Sequence, residues 1–300
     1  MKLLETRSLM NRICRSTKSQ KTVSREAHLE PICRNLRSAS SNLAGGTKKK
    51  IMKTRILIKL KKIEAQKNIK ILFACESGSR AWGFPSPDSD YDVRFIYVHN
   101  AAWYLNLWEK KDTIQFMTSD LLDGSGWDLR KALRLLAKSN ASLLGWLYSP
   151  MVYFTDDLFL KNIKQLAKEN NNPVSTFFHF HSMSKRFLEF DPNDKVKLKS
   201  LFYAMRTSLA ATWTREKGKI PPVLFSELLE LVSEETKEKI VDLMKLKESK
   251  NEDFLYLMDI SLYKTLEKVI DKNEIERDSV SHNNYNQEDF NSFFVKYTQQ

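Results

Sequence analysis

The sequence predicts an α+β protein, with a small mixed β-sheet domain followed by a mainly helical domain. Three observations carry that expectation. Short apolar or alternating segments cluster between residues 69 and 118, helical spacing dominates from Ala141 onward, and no internal repeat intervenes. Strands first and helices later is the element order of an α+β chain. With 42% hydrophobic and 11% aromatic residues in a chain of 300, there is enough apolar material for a sizeable core.

Taken in order, residues 1–51 form a basic extension with twelve Lys and Arg against three Glu. They account for +9 of the net charge of +12, so the body of the chain is nearly balanced and shows no nucleic-acid signature by charge alone. Lacking hydrophobic periodicity, the extension is expected to be disordered; its Arg- and Ser-rich, acid-poor make-up is also that of an organellar transit peptide. The alternative is sequence upstream of a true start at Met52, where "MKTRILIKLKKIEAQKN" opens a helix. "IKILFAC" (69–75) is a continuous apolar run, the pattern of a central strand buried on both faces. A small-residue turn at Gly78-Ser79 follows, then a second strand over 90–98. "DTIQFMT" (112–118) is a third strand, and Leu121 to Asp123 a further extended piece.

"SGWDLRKALRLLAKSN" is read as a helix with Ser125 and Asp128 at capping-box spacing. Its Leu129, Ala132, Leu133 and Leu136 recur on one face. The helices beyond are broken at Pro150, at Asn170 to Pro173, at Asp191 to Asp194 and at "GKIPP" (218–222). These breaks set the expected organisation: a catalytic domain over 52–150, a helical domain over 151–272 and a polar C-terminal tail over 273–300. No run reaches the roughly eighteen apolar residues of a membrane span. Three cysteines without a CxxC pair suit a reducing compartment, so a cytoplasmic location is expected.

The chemistry concentrates in "ESGSRAWGFPSPDSDYDVRFIYV" (76–98). Side chains alternate along a strand, so Asp90, Asp92 and Arg94 share one face while Tyr91, Val93, Phe95 and Tyr97 form the other, a core face. Two carboxylates roughly 6.6 Å apart along the chain can share hard cations. Mg²⁺, with Mn²⁺ as the alternative, takes a few carboxylates plus substrate phosphates. Gly78 and Ser79 directly follow a buried strand, where backbone N–H groups and a hydroxyl can approach a triphosphate. Arg80 adds positive charge beside them. Two other motifs fail: Phe84-Pro85 stand where a P-loop needs Lys and Ser/Thr, and Val93 replaces the glycine of an EF-hand loop. The bland reading, an acidic turn that merely starts a strand, accounts for a lone DxD but not for GS, a ten-residue connector and D-Y-D-V together.

This stretch resembles the nucleotidyltransferase superfamily with the DNA polymerase β fold, whose signature is Gly-Ser, a connector and Asp-x-Asp between apolar neighbours. More closely, it is similar to the bacterial predicted nucleotidyltransferases of the RNA-repair-pathway polymerase-β-like family, together with "SGWDLRKALRLLAKSN" and "KLKSLFYAMRTSLAATW…IPP". The resemblance runs from about Met52 to about Lys250. It implies a metal-dependent transferase that moves a nucleoside monophosphate from a triphosphate, ATP among the candidates, to an acceptor hydroxyl. The acceptor is an RNA end, a protein or a small molecule. It also implies a third carboxylate on a later strand, for which Asp123 ranks ahead of Asp128, Asp120 and Asp112. Gly124 stands where an apolar residue is expected.

Secondary candidates are weaker. Lys199, Tyr203 and Arg206 share a helix face at i, i+4 and i+7, which suits triphosphate or acceptor contacts and, almost equally, core packing with an ion pair. Arg130, Arg134 and Lys138 form a basic stripe that a solvated face explains as well. His179 and His181 point to different sides of a helix and make a poor chelate. Trp82 and Phe84 are either stacking platforms or loop closures. The competing functional class is a catalytically silent nucleotide- or RNA-binding module with the same fold; a protein-modifying antitoxin-type transferase shares the chemistry and differs in acceptor.

Overall fold

A computed structural model describes residues 44–118 and 121–299. Its first helix, α1, spans Ala44–Lys67, eight residues earlier than the expected boundary at Met52. The rest of the basic extension, and Asp120, lie outside the described residues. From Leu60 onward the chain forms one compact unit.

The sheet is built from β1 (Lys70–Ser77), β2 (Tyr91–Val98), β3 (Thr113–Met117), β4 (Leu122–Asp128) and β5 (Val152–Thr155), in the order β3-β4-β2-β1-β5. β2 and β4 run parallel; every other neighbouring pair is antiparallel, so the sheet is mixed as expected. The continuous apolar run of β1 is buried from Ile71 to Cys75 because both of its faces are covered. A short helix α2 (Gly78–Trp82) takes the place of the expected turn, and α3 (Ala101–Tyr104) leads from β2 toward β3.

β4 is where the sequence misleads. Residues 125–128 belong to the strand, not to a helix; α4 spans Leu129–Ala137. Ser125 therefore caps nothing. Asp128 is itself the cap, its Oδ1 accepting from the Arg130 N–H at 2.8 Å. Gly124 and Gly126, which weaken a strand on propensity, are required here by close packing. A Cβ on Gly126 would lie 2.1 Å from the buried Phe95 ring, and one on Gly124 2.1 Å from Phe116. Aromatic rings lie over bare backbone at both positions. Gly126→Ala is accordingly expected to cost about 1–3 kcal/mol, the range for overpacking a core. Chemical denaturation measures it, and an unchanged midpoint with an unchanged slope would refute this packing argument.

The remaining helices are α5 (Ala141–Leu147), α6 (Asp157–Glu169), α7 (Pro173–Leu188), α8 (Leu198–Lys217), α9 (Phe225–Leu228), α10 (Glu234–Glu248), α11 (Ile260–Ile275) and α12 (Gln287–Thr298). Strands β6 (Lys195–Lys197) and β7 (Leu255–Leu257), which helical spacing did not reveal, form a two-stranded ribbon. Two apolar cores result. The first joins β1 and β2 to α4, α5, α6 and α12 through Phe73, Ile96, Leu133, Phe159 and Phe293. The second gathers Phe84, Phe177, Phe202, Phe225 and Leu262 among the helices that follow.

Two expected boundaries move. β5 pairs with β1, and α6 packs into the first core, so residues 151–169 belong with the sheet rather than with the helical part. The stretch from 273 is no bare tail: α11 runs into it as far as Ile275, and α12 buries Phe290, Phe293 and Tyr297 in the first core. The i, i+3, i+7 spacing of those three rings gives α12 one apolar stripe. Among the described residues no helix is long and apolar enough to cross a membrane.

Candidate active site

Asp92 and Asp123 are direct neighbours. The parallel register of β2 and β4 pairs their Cα positions, and Ser77 of β1 completes the same row. Residues in one row of a sheet project to one face. That face is the one α4, α5 and α6 cover through Ile96 and Val98, so the carboxylates stand where the helical cover stops.

Both carboxylates converge on a single point. The Nη2 of Arg94 donates to Asp92 Oδ1 and to Asp123 Oδ2, 2.8 Å in each case. Arg94 Nη1 donates further to the carbonyls of Val93 and Asp123. Burial pushes the Asp92 carboxyl up; Arg94 opposes this, and the charges of Asp123 and Asp90 add to it.

Gly78 is what lets Asp92 sit there. Its φ of +65° is a left-handed conformation that glycine adopts without strain, and a Cβ would fall 2.1 Å from Asp92 Oδ2. Ser79 turns inward, its hydroxyl donating to Ser89 Oγ at 3.2 Å. Arg80 is committed to the connector: Nε donates to the carbonyl of Asp90 at 3.0 Å and Nη2 to that of Ser89 at 2.6 Å. Its guanidinium also lies 4.0 Å from the Tyr91 ring centroid. Arg80 thus fixes the backbone of Asp90, which is exposed in the loop just before β2. Lys199, at the start of α8, pairs with Glu252 at 2.6 Å and feels the charge of Asp92. Arg206 stands apart, lining a cavity that Asp123 borders. Phe84 is a core residue stacked 4.8 Å from Phe202, whereas Trp82 borders the cavity. His181 is buried against Glu274 at 2.7 Å, and His179 borders the cavity.

Whether these residues suit a divalent cation is tested by the donor set. Asp92 and Asp123 offer hard oxygen donors that close on one cationic nitrogen, and Mg²⁺ needs only one or two carboxylates beside substrate phosphates. That pair fits. Asp90 adds its charge beside them, although among the described residues no three acidic, His or Cys side chains gather into a metal-holding group.

Two residues of the site were not singled out from the sequence. Arg94 was visible on the polar face but had no role there. Glu76 is fully buried at the end of β1. Its Oε1 accepts from the Asp92 backbone N–H at 2.7 Å, and Tyr153 Oη donates to its Oε2. A lone carboxylate closing an apolar strand was the signal. Burial, above all, pushes its carboxyl up to about 7, opposed by the hydrogen bonds from Tyr153 and Asp92.

A pH dependence follows from Glu76. Its folded-state pKa exceeds the unfolded value, so the stability due to neutral Glu76 is complete below about pH 4.5. It is lost as pH rises through about 7. The span is on the order of 3 kcal/mol. Glu76→Gln should flatten the profile of melting temperature between those pH values. Parallel profiles for variant and parent would sink the assignment.

Comparisons with known proteins identify the family of the chain. A model of the RNA repair pathway DNA polymerase beta family matches residues 52–296. Over 185 residues the chain is 46% identical to the uncharacterized protein YcgL of Bacillus subtilis (strain 168), covering 61% of this chain and 71% of that one. The crystal structure of a nucleotidyltransferase-like protein from Exiguobacterium sibiricum is similar at 13% identity and a TM-score of 0.30, over 79% of this chain and 77% of that one.

Proposed function

Since the chain belongs to the RNA repair pathway DNA polymerase beta family over residues 52–296, we propose that it is a metal-dependent nucleotidyltransferase. It would move a nucleoside monophosphate from a triphosphate to an acceptor hydroxyl. One observation supports this most: Asp92 and Asp123, side by side on parallel strands, close on one cationic point beside the glycine at residue 78.

In this reading Asp92 and Asp123, with Asp90 next to them, hold Mg²⁺ or Mn²⁺. When bound, the ion neutralises phosphate charge, polarises the α-phosphorus and makes the acceptor hydroxyl easier to deprotonate. The residues do the rest. Glu76 fixes the backbone of Asp92, and Gly78 leaves room for its carboxylate. Gly78, Ser79 and Lys199 lie on the triphosphate side, with Arg80 shaping the connector that carries Asp90. Asp123 borders the cavity, where it orients the acceptor hydroxyl for in-line attack. The acceptor hydroxyl gives up its proton to water, the acceptor oxygen–phosphorus bond forms, the bond to the bridging oxygen breaks, and pyrophosphate leaves. Among the described residues no His or Cys hydrogen-bonds to either carboxylate, so direct attack by the acceptor is the route in this reading.

A second reading has its own observation. Arg94 already supplies a cation to both carboxylates, as it would in a silent nucleotide-binding module. One experiment separates the two: incubation with each α-labelled triphosphate, Mg²⁺ or Mn²⁺, and total RNA or protein. Label transferred to an acceptor is expected. Binding of triphosphate with no transfer under any of these conditions would favour the silent module.

A further inference from the structure

Beside Asp123 lies a cavity of about 490 Å³, within the roughly 300–1,000 Å³ of small-molecule sites. Its walls are unusually aromatic: Trp82, Trp127, Trp146, Phe180 and Tyr203 all border it. Trp127 and Trp146 lie with ring centroids 3.8 Å apart. Such surfaces accept planar rings by stacking.

Arg206 enters this cavity from α8 as a buried cation without a counter-charge. The residue is 7% exposed, and its Nε has no hydrogen-bond partner. Its guanidinium carbon stands 4.4 Å from the Trp82 ring centroid and 5.8 Å from that of Phe180. No carboxylate pairs with it among the described residues. Burial accordingly pushes its pKa down to about 10, with only Tyr203 opposing. An unpaired buried charge is costly, and a guanidinium with free donors is a natural partner for phosphate.

The position of the cavity distinguishes the two substrates of the proposed transfer. Asp123 borders it together with Arg94, Ser77 and Trp82, whereas Asp92, Gly78, Ser79 and Lys199 do not. It therefore opens on the Asp123 side of the carboxylate pair, the side that the transferase reading gives to the acceptor.

Building on the transferase reading, we propose that this cavity seats the acceptor, and that the acceptor is a nucleoside monophosphate unit, free or at the end of a strand. Its base stacks among the tryptophans, its phosphate pairs with Arg206, and its hydroxyl faces Asp123.

Calorimetric titration of the 300-residue chain with Mg²⁺ tests this. The probes are the four nucleoside monophosphates, the matching nucleosides, a 5′-phosphorylated trinucleotide and a non-hydrolysable triphosphate. At least one monophosphate or the trinucleotide should bind, and the matching nucleoside about tenfold or more weakly, as a charge-assisted contact requires. Arg206→Gln should cause a similar loss for the phosphorylated probe while leaving the triphosphate nearly unaffected, and Arg206→Lys should recover part of it.

Gly145→Leu provides an independent arm. Gly145 borders the cavity, and a Cβ there meets nothing within 4 Å, so a leucine has room to project into it. Removing a helical glycine also favours folding. The same selective loss is expected, with preference between free monophosphate and trinucleotide identifying the source.

Loss of triphosphate binding in both variants would overturn the proposal by making the cavity the donor's seat. Triphosphate binding without any monophosphate or trinucleotide binding would overturn it alone, leaving the transferase reading intact. Monophosphate binding without triphosphate binding would instead remove the transferase reading and leave the cavity's ligand standing. Binding of neither refutes both.

Discussion

Asp92→Asn is expected to lower nucleotidyl transfer by at least about a thousandfold, at the upper end of what loss of one preorganised electrostatic group costs. The amide keeps the shape of the side chain but gives up the charge that the cation and the phosphates need. Stability should change little. Arg94 retains Asp123, and the amide relieves the carboxyl of its crowding by burial and by neighbouring negative charge. A rate assay at several Mg²⁺ and Mn²⁺ concentrations, beside a thermal melt, measures both quantities. Parent-like transfer by the folded variant at every concentration would remove the metal assignment.

The second large effect separates Asp123 from Asp128, which lie five residues apart on the same strand and do different work. Asp123 pairs in register with Asp92 and shares Arg94 with it. Asp123→Asn should therefore reduce transfer by about a hundredfold or more while the protein melts nearly as before. Asp128 is buried at the far end of β4, where Tyr104 donates to it at 2.7 Å and α4 begins on it. Asp128→Ala leaves both donors unmatched. It should destabilise the fold by about 1–3 kcal/mol, with turnover per folded molecule retained. Inactive but fully stable Asp128→Ala, with normal turnover by Asp123→Asn, would force the two roles to be exchanged.

Much of the site was legible because its parts are close in sequence. The DxD pair and the Gly-Ser turn lie within fifteen residues of each other, and strand alternation alone assigned Asp92 and Arg94 to one face. Asp123 was harder. It sits beside Asp92 only because β4 pairs in parallel with β2 after the chain has gone out to the edge strand β3 and back, and no local pattern encodes such a register. Helical periodicity in 129–136 was correct, but it pulled the expected helix four residues too early. Gly124 and Gly126 looked like breaks in a strand because their reason lies in other strands, in the rings of Phe116 and Phe95.

What the sequence determined by itself was that strands come before helices, the core face of β2 and of the helix over 129–136, and the chemistry available at residues 76–98. Those follow from side-chain period and residue type, which act over a few positions. Tertiary structure alone decided which groups meet. It brought β5, α6 and the last helix into the first core, set Glu76 under Asp92, and placed Arg94 between two carboxylates. It also left Arg206 buried against Trp82, with no carboxylate paired to it among the described residues. Each of these depends on burial and on neighbours more than a dozen residues away. Desolvation and pairing exist only once the chain has closed around them.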